Sequence, residues 1–168
     1  SLTVSGVSLL DADVTTSGTQ TYSAAITLGT AARTLQGTTV QTTTINGAQN
    51  LTITGILDLN GAIGASTRVG VLSVSGASNL GANVLSNGTQ TYTGAVTLSA
   101  DITLTSSDDN FTFSSTVQSD GTARDLTLNS GTATIGITGA IGGNSKPLDV
   151  LTITQSGGVT FSGAINAD

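Results

Sequence analysis

Apolar side chains recur along this chain in short runs separated by small or polar residues. A five-residue pattern, in which two apolar residues flank three small ones, starts at Val4, Tyr22, Val40, Leu59, Val74, Tyr92, Phe113, Ile137 and Phe161. Alternation of apolar and polar residues places the apolar side chains on one face of an extended strand. Clusters of Gly, Asn, Asp and Ser between the runs favour turns. The pattern therefore predicts many short β-strands.

The spacing of these starts predicts how the strands are arranged. Successive starts lie 15 to 24 residues apart. A period of this length with two or three short strands is typical of one coil of a parallel β-helix, in which stacked coils share a continuous core. Parallel crossovers are almost always right-handed. We therefore expect an all-β fold, a right-handed parallel β-helix (β-solenoid) of about nine coils of 15–24 residues over residues 1–168.

Antiparallel β-sandwich repeats are the alternative fold, because sandwiches also contain short strands bounded by regular turn signals. Two observations favour the solenoid. The same short motif recurs many times with tolerance for insertions, and aromatic residues, which fill sandwich cores, make up only 3% of the chain.

A longer repeat is superimposed on the short one. Leu2–Gly29 aligns with Leu72–Ser99 at an offset of 70 residues, with 16 of 28 positions identical. The match resumes further on, where Leu51–Ile53 is echoed by Leu126–Leu128, Gly61–Gly64 by Gly139–Gly142, and Val71–Val74 by Val150–Ile153. We expect two long units, about 2–71 and 72–168, within one continuous solenoid segment of a larger repetitive protein.

The amino-acid composition argues against nucleic-acid binding and against a transmembrane segment. Charged residues make up 8% of the chain, against about 25% in an average soluble domain. The net charge is −6 and the four basic residues are scattered, which argues against nucleic acid as a partner. No apolar run approaches the roughly 18 residues of a transmembrane segment.

Catalytic chemistry finds little support. The chain contains no His or Cys, which excludes Ser-His and Cys-His nucleophiles and His- or Cys-based metal sites. The nearest approach to a carboxylate pair is Asp108-Asp109. Adjacent residues of a strand point to opposite faces, so a turn is the favoured interpretation of this pair. We expect no enzyme and no cofactor.

Calcium is the one metal that the residue types allow. Oxygen-rich segments supply Asp11, Asp13, Asp108 and Asp109 as candidate ligands. The chain lacks both the EF-hand pattern and the glycine-rich nonapeptide of calcium-binding β-rolls. Solvated turns are therefore the favoured interpretation of these residues.

Three phrases carry a resemblance to a known group of proteins. GTQTYTGAVTL (Gly88–Leu98), DGTARDLTLNSG (Asp120–Gly131) and PLDVLTITQSGGVTFSGAI (Pro147–Ile165) resemble the β-strand repeats of giant bacterial exoproteins, namely filamentous haemagglutinin-like and autotransporter-like adhesins. The resemblance implies a right-handed β-helical shaft, secretion across the envelope, and a role in adhesion, matrix or fibre formation. It implies no catalytic residues.

These observations together predict a structural shaft in a secreted bacterial surface adhesin, sheath or extracellular filament, located outside the cell or at the cell surface. Because a coil edge needs a partner, the expected partners are further coils of the same chain or a second copy stacked head to tail. The alternative is a carbohydrate- or receptor-binding adhesin module that uses a solenoid face or a loop such as Gly142–Pro147, with host or environmental glycans as partners.

Overall fold

The computed structural model describes residues 1–143 and 146–167, in which the chain winds into a parallel β-solenoid of about eight turns. No helix occurs in these residues. The strands are β1 (Leu2–Val4), β2 (Ser8–Leu10), β3 (Val14–Thr15), β4 (Gln20–Tyr22), β5 (Ile26–Leu28), β6 (Arg33–Thr42), β7 (Ile45–Asn46), β8 (Leu51–Leu59), β9 (Leu72–Val74), β10 (Ser78–Leu80), β11 (Val84–Leu85), β12 (Gln90–Tyr92), β13 (Val96–Leu98), β14 (Ile102–Thr105), β15 (Phe111–Phe113), β16 (Val117–Ser119), β17 (Arg124–Asn129), β18 (Thr134–Ile137), β19 (Leu148–Gln155) and β20 (Gly158–Phe161).

Each coil contributes one segment to each of three faces. Face 1 contains β1, β4, the second halves of β6 and β8, then β10, β13 and β16, and single-residue bridges extend it to Ile141 and Ile165. Face 2 contains β2, β5, β7, the bridge residue Ile63, β11, β14, β17 and β19. Face 3 contains β3, the first halves of β6 and β8, then β9, β12, β15, β18 and β20.

All of these strand pairs are parallel, which confirms the solenoid and shows that the antiparallel sandwich alternative is wrong. Inward side chains alternate with outward ones in most strands, and the inward ones form a single continuous apolar core. Stacking removes this apolar surface from water, the main stabilising contribution to the fold.

The turn count differs slightly from the prediction, about eight turns against about nine. The reason is that two of the nine motif starts lie in one coil. Leu59 ends β8 on face 1, and Val74 ends β9 on face 3 before the next coil begins at β10. The motif therefore changes face between these residues, which also explains their short spacing of 15 residues.

Each long repeat contains the same number of strand segments, although the number of residues in the repeat varies. Segments are counted along the chain, with β6 and β8 as two segments each and the bridges at Ile63, Ile141 and Ile165 as one each. By this count β1 is the first segment, β9 is the twelfth and β19 is the twenty-third. The echo of Leu51–Ile53 at Leu126–Leu128 also spans eleven segments. Since three segments make one turn, each unit advances three and two-thirds turns and places its residues on a different face.

One corner of the coil is built from glycine. Between face 3 and face 1, seven of eight successive turns carry Gly, at positions 18, 37, 55, 76, 94, 139 and 163, and Ser115 occupies the other turn. A Cβ added at Gly76 would lie 2.3 Å from the carbonyl oxygen of Gly55, and one at Gly163 would lie 2.4 Å from that of Gly139. At Gly76 and Gly163 the backbones of successive coils thus approach too closely for a side chain.

The rotation of the repeat explains a substitution at this corner. In the first unit Ala24 lies between β4 and β5, at the corner between faces 1 and 2. In the second unit the corresponding residue, Gly94, lies between β12 and β13, at the glycine corner. At Gly94 an added Cβ would lie 2.4 Å from the backbone carbonyl carbon of Gly76, so the residue that the rotation brings to this corner is glycine.

Candidate functional site

A buried Gln–Tyr pair occurs once in each long unit. The side chains of Gln20 and Gln90 are fully buried in the core. The hydroxyl of Tyr22 donates to Gln20 Oε1 at 3.1 Å, and that of Tyr92 donates to Gln90 Oε1 at 3.0 Å. Burial raises the pKa of both tyrosine hydroxyls, so both stay protonated as donors.

The glutamine amide nitrogens connect two coils. Gln20 Nε2 donates to the carbonyls of Val14, 2.9 Å away, and Gln36, 2.7 Å away. Gln90 Nε2 donates to the corresponding carbonyl of Thr105 at 2.9 Å and to Ser86 Oγ at 3.0 Å. The carbonyls of Gln36 and Thr105 each accept a backbone N–H as well, so the glutamine adds a second hydrogen bond to each of them. The arrangement is structural, because every polar atom of the amide is engaged by the protein itself.

A second set of polar side chains joins neighbouring coils at the outer corners. Eight Asp or Asn side chains accept a hydrogen bond from a backbone N–H of the next coil, 20 to 25 residues further on. They are Asp13, Asn46, Asn50, Asn83, Asp101, Asp108, Asn110 and Asp125. The acceptor always belongs to the earlier coil, so these bonds give the stack a direction.

The four candidate calcium ligands do not converge. Asp13 Oδ1 accepts from the backbone N–H of Thr34 at 2.8 Å, and Asp108 Oδ1 accepts from that of Thr132 at 2.8 Å. The Asp11 carboxylate lies against the backbone of Gly29. Asp11 and Asp13 lie between β2 and β3 in the first coil, whereas Asp108 and Asp109 lie between β14 and β15 in the sixth. Over residues 1–143 and 146–167, no group of three or more carboxylates is placed to hold a metal ion.

Asp108 and Asp109 lie in a turn between β14 and β15, as the sequence predicts. Asp108 has a left-handed backbone conformation, with φ of 60°, and its carboxylate is bonded to Thr132. The backbone carbonyl of Asp109 accepts from the hydroxyl of Ser106. The pair therefore has the hydrogen bonds of a tight turn that is tied to the next coil.

The outward surface of face 3 is uncharged and rich in hydroxyl groups. In register along the stack, its first outward position is Thr34, Thr52, Ser73, Thr91, Thr112, Gly136 and Thr160. Variation in coil length is accommodated at the corners, because this ladder runs without a register shift from Leu72 to Phe161. The face offers solvent a neutral, hydrophilic sheet.

The last described coil presents an apolar groove at its free edge. Val150, Phe161 and Ile165 are 47%, 38% and 46% exposed. Leu151, Ile153 and Ala167 complete the lining. In the preceding coil the residues equivalent to Phe161 and Ile165 are Ile137 and Ile141, and the last coil buries both of them.

Sequence reasoning missed the Gln–Tyr pairs as a buried network, although it found the motif that contains them. The available signal was the repetition of Gly-Thr-Gln-Thr-Tyr. In a strand, the Gln of this motif lies on the same face as the Tyr two residues later, and a glutamine that faces the core in both copies indicates a buried amide with hydrogen-bond partners. The loop Gly142–Pro147, where sequence reasoning placed recognition, includes residues 144 and 145, which lie outside the described residues.

Comparison of the chain with protein-family models, with curated proteins and with solved structures found no match. In the part of the chain that the structure describes, no helix is long and apolar enough to cross a membrane.

Proposed function

We propose that this chain is a structural shaft segment of a secreted bacterial surface adhesin or extracellular filament, and that it performs no catalysis. The observation that carries the proposal is that most of the side-chain hydrogen bonds join one coil to the next. The buried glutamines and the corner Asp and Asn residues all bond between coils. Hydrogen bonds between coils stabilise the stacking of many coils, which a long shaft requires.

The rotation of the long unit supports the same function. Successive units place equivalent residues on different faces, as Tyr22 on face 1 and Tyr92 on face 3 demonstrate. A repeated binding surface would need its residues on one face. A shaft needs only uninterrupted stacking, which an eleven-segment unit provides whatever its rotation.

The free edges indicate how shafts would extend. The apolar groove beside Phe161 and Ile165 and the half-exposed Leu2 and Val4 of the first coil lie at opposite ends of the stack. Either further coils or a second copy stacked head to tail would cover them. Contact between two different ends is heterologous and produces open filaments.

A mixing experiment tests this stacking. Phe161→Lys places a charge in the apolar groove at one end of the stack, and Val4→Lys places a charge at the edge of the core at the opposite end. Thr97→Lys, which points outward on a middle coil, serves as the control. We expect wild type and Thr97→Lys to associate with rising concentration in sedimentation velocity, and each edge variant alone to remain monomeric. An equimolar mixture of the edge variants keeps one intact junction and should form dimers only. Monomers in every sample, with native circular dichroism, would refute head-to-tail stacking.

The second candidate function is a carbohydrate- or receptor-binding adhesin module with glycans as partners. The neutral, hydroxyl-rich surface of face 3 favours it, because hydroxyl groups both donate and accept hydrogen bonds. Glycan-array binding that is abolished by alanine substitutions at Thr91 and Thr112, on this face, would support it.

A further inference from the structure

Asparagine is followed by glycine at three corners of the solenoid. The dipeptides are Asn46-Gly47 at the end of β7, Asn60-Gly61 directly after β8, and Asn87-Gly88 between β11 and β12. In such a dipeptide the backbone nitrogen of the glycine can attack the side-chain amide carbon of the asparagine, because glycine has no Cβ to obstruct the approach. The three dipeptides are identical in sequence, so their surroundings in the fold decide which of them reacts.

The glycine nitrogens differ in their hydrogen bonds. The N–H of Gly47 donates to the carbonyl of Thr67 at 3.1 Å, and the N–H of Gly88 donates to the carbonyl of Gly70 at 3.0 Å. The N–H of Gly61 has no acceptor within the described residues. The nitrogen becomes a nucleophile only when it loses its proton, and a bonded N–H first has to give up its acceptor. Gly61 therefore carries the most available nitrogen of the three.

The asparagine side chains differ in the same direction. Asn46 Oδ1 accepts from two backbone N–H groups of the next coil, at 2.9 and 3.2 Å. Asn87 Oδ1 accepts from the hydroxyl of Ser107 at 3.5 Å. Asn60 is exposed, and its side-chain amide makes no hydrogen bond in the part of the chain that the structure describes. Among the three dipeptides, only Asn60-Gly61 leaves both reacting groups free.

The surroundings of Asn60 are almost uncharged. The segments of the neighbouring coils that stack on its corner, residues 41–46 and 79–83, contain no charged side chain. Asp58, the nearest acidic residue along the chain, already accepts from two neighbouring side-chain amides at 2.9 and 3.0 Å. The base that removes the proton therefore comes from solvent, and the reaction should be faster at higher pH.

We propose that Asn60 is a site of spontaneous deamidation. The Gly61 nitrogen loses its proton to solvent base and attacks Cγ of Asn60, so that a new C–N bond closes a succinimide ring. The bond from Cγ to the side-chain nitrogen breaks, and that nitrogen takes up a proton from solvent and leaves as ammonia. Water then opens the ring at either carbonyl and produces aspartate or isoaspartate. One water is consumed for each ammonia released, and nothing is oxidised or reduced.

The two products should affect the corner differently. Aspartate adds a negative charge, whereas isoaspartate also inserts one carbon atom into the backbone. The N–H of Asn60 donates to the carbonyl of Thr42 at 2.8 Å, and a Cβ added at Gly61 would lie 2.9 Å from the carbonyl carbon of Thr43. The corner thus lies close against the preceding coil, and a longer backbone has to move away from it. We expect the isoaspartate form to be the less stable one.

Prolonged incubation of the folded chain in mildly alkaline buffer, followed by tandem mass spectrometry of its proteolytic peptides, tests the proposal. We expect Asn60 to deamidate at least about fivefold faster than Asn46 or Asn87, a ratio that corresponds to about 1 kcal/mol, the net contribution of one hydrogen bond. The rate at Asn60 should fall when the buffer is made mildly acidic. The matched control is the same chain unfolded in urea, in which the three sites should react at similar rates.

Two variants connect the chemistry with stability. Asn60→Gln lengthens the side chain and disfavours ring closure, so it should stop the reaction at this corner and leave Tm unchanged. Freshly prepared Asn60→Asp supplies the aspartate product without isoaspartate, so its Tm should also stay near that of the wild type. Incubated wild type should have a lower Tm than both, and incubated Asn60→Gln should not.

The proposal is overturned if Asn60 in the folded chain reacts no faster than Asn46 and Asn87. It is also overturned if all three sites react together at the rate of the unfolded chain, because the reaction would then require global unfolding. Asn60 lies on a middle coil, away from both free edges of the stack. Its deamidation is independent of the shaft function, so each proposal can fail without the other.

Discussion

The hydroxyl of Tyr92 donates a 3.0 Å hydrogen bond to the side-chain carbonyl of Gln90 inside the core. The same relationship joins Tyr22 to Gln20 three and two-thirds turns earlier, on another face. The Gln–Tyr pair therefore recurs at the same position of each long unit, but on a different face of the solenoid. Its partners move with it, since Thr16 and Ser86 donate to the carbonyls of Gly18 and Gly88 in the same way.

Removing the two tyrosine hydroxyls tests whether the pairs are equivalent. Tyr22→Phe and Tyr92→Phe each leave a glutamine carbonyl oxygen buried without its donor, so each should lower the free energy of unfolding by about 1–2 kcal/mol. The pairs lie on separate coils with no shared partner, so the double variant should show the sum. Chemical denaturation measures all three values. A strongly unequal pair of effects would contradict the equivalence.

Replacing Gln90 by glutamate should make stability depend on pH. Gln90→Glu replaces the Nε2 donor by a carboxylate oxygen facing the carbonyl of Thr105. Burial raises the pKa of this new carboxyl group above its unfolded value of about 4.3. The loss of stability should be smallest below that value and grow as pH rises through the folded pKa, reaching on the order of 3 kcal/mol at neutral pH.

The control for that experiment is Gln118→Glu, at a half-buried position in the middle of β16 that points outward. We expect its melting temperature to follow the wild type across the pH range. If Gln90→Glu also unfolds at the same denaturant concentration at pH 4 and pH 8 (pH values chosen on either side of the ~4.3 reference), the buried network has been misassigned.

The glycine corner predicts a large difference between two matched substitutions. Gly6 and Gly76 occupy the same position of the long repeat, but an added Cβ meets nothing within 4 Å at Gly6 and a backbone oxygen at 2.3 Å at Gly76. Gly76→Ala should destabilise by about 2 kcal/mol or more, because the backbone of the preceding coil has to shift. Gly6→Ala should be neutral or slightly stabilising. Similar melting temperatures for the two variants would argue against close contact at this corner.

Asp108 distinguishes a structural carboxylate from a calcium ligand. Asp108→Asn keeps the oxygen that accepts from Thr132 and tolerates the left-handed backbone, so we expect a change within about 0.5 kcal/mol. Asp108→Ala loses both hydrogen bonds to Thr132 and should cost about 1–2 kcal/mol. A chelator should leave the melting temperature of the wild type unchanged. A chelator-induced fall that Asp108→Asn reproduces would instead establish a calcium site.

The fold was predictable because its signals are local. Alternation in stretches such as Leu72–Val74 and small residues at corners such as Gly94 follow directly from strand geometry and steric contact. The turn count was overestimated because the motif starting at Leu59 and the one starting at Val74 look alike, and only the register of pairing places both in one coil.

The polar features were harder to predict for a physical reason. The carboxylates of Asp13 and Asp108 lie in turns, as expected, but their partners are backbone groups more than 20 residues away. The corner between Thr42 and Ile45 is one residue shorter than the two corners stacked against it. Both features require knowledge of which coil lies against which, which a linear pattern does not contain.

Electron microscopy of the purified chain, combined with diffraction from aligned material, tests the central claim most directly. A shaft that stacks coil upon coil should appear as rods one coil wide, with a reflection along the rod axis at about 4.8 Å, the spacing between hydrogen-bonded strands. The Phe161→Lys variant should lack these rods. Uniform, discrete particles of wild type at every concentration, with no axial reflection, would contradict the account.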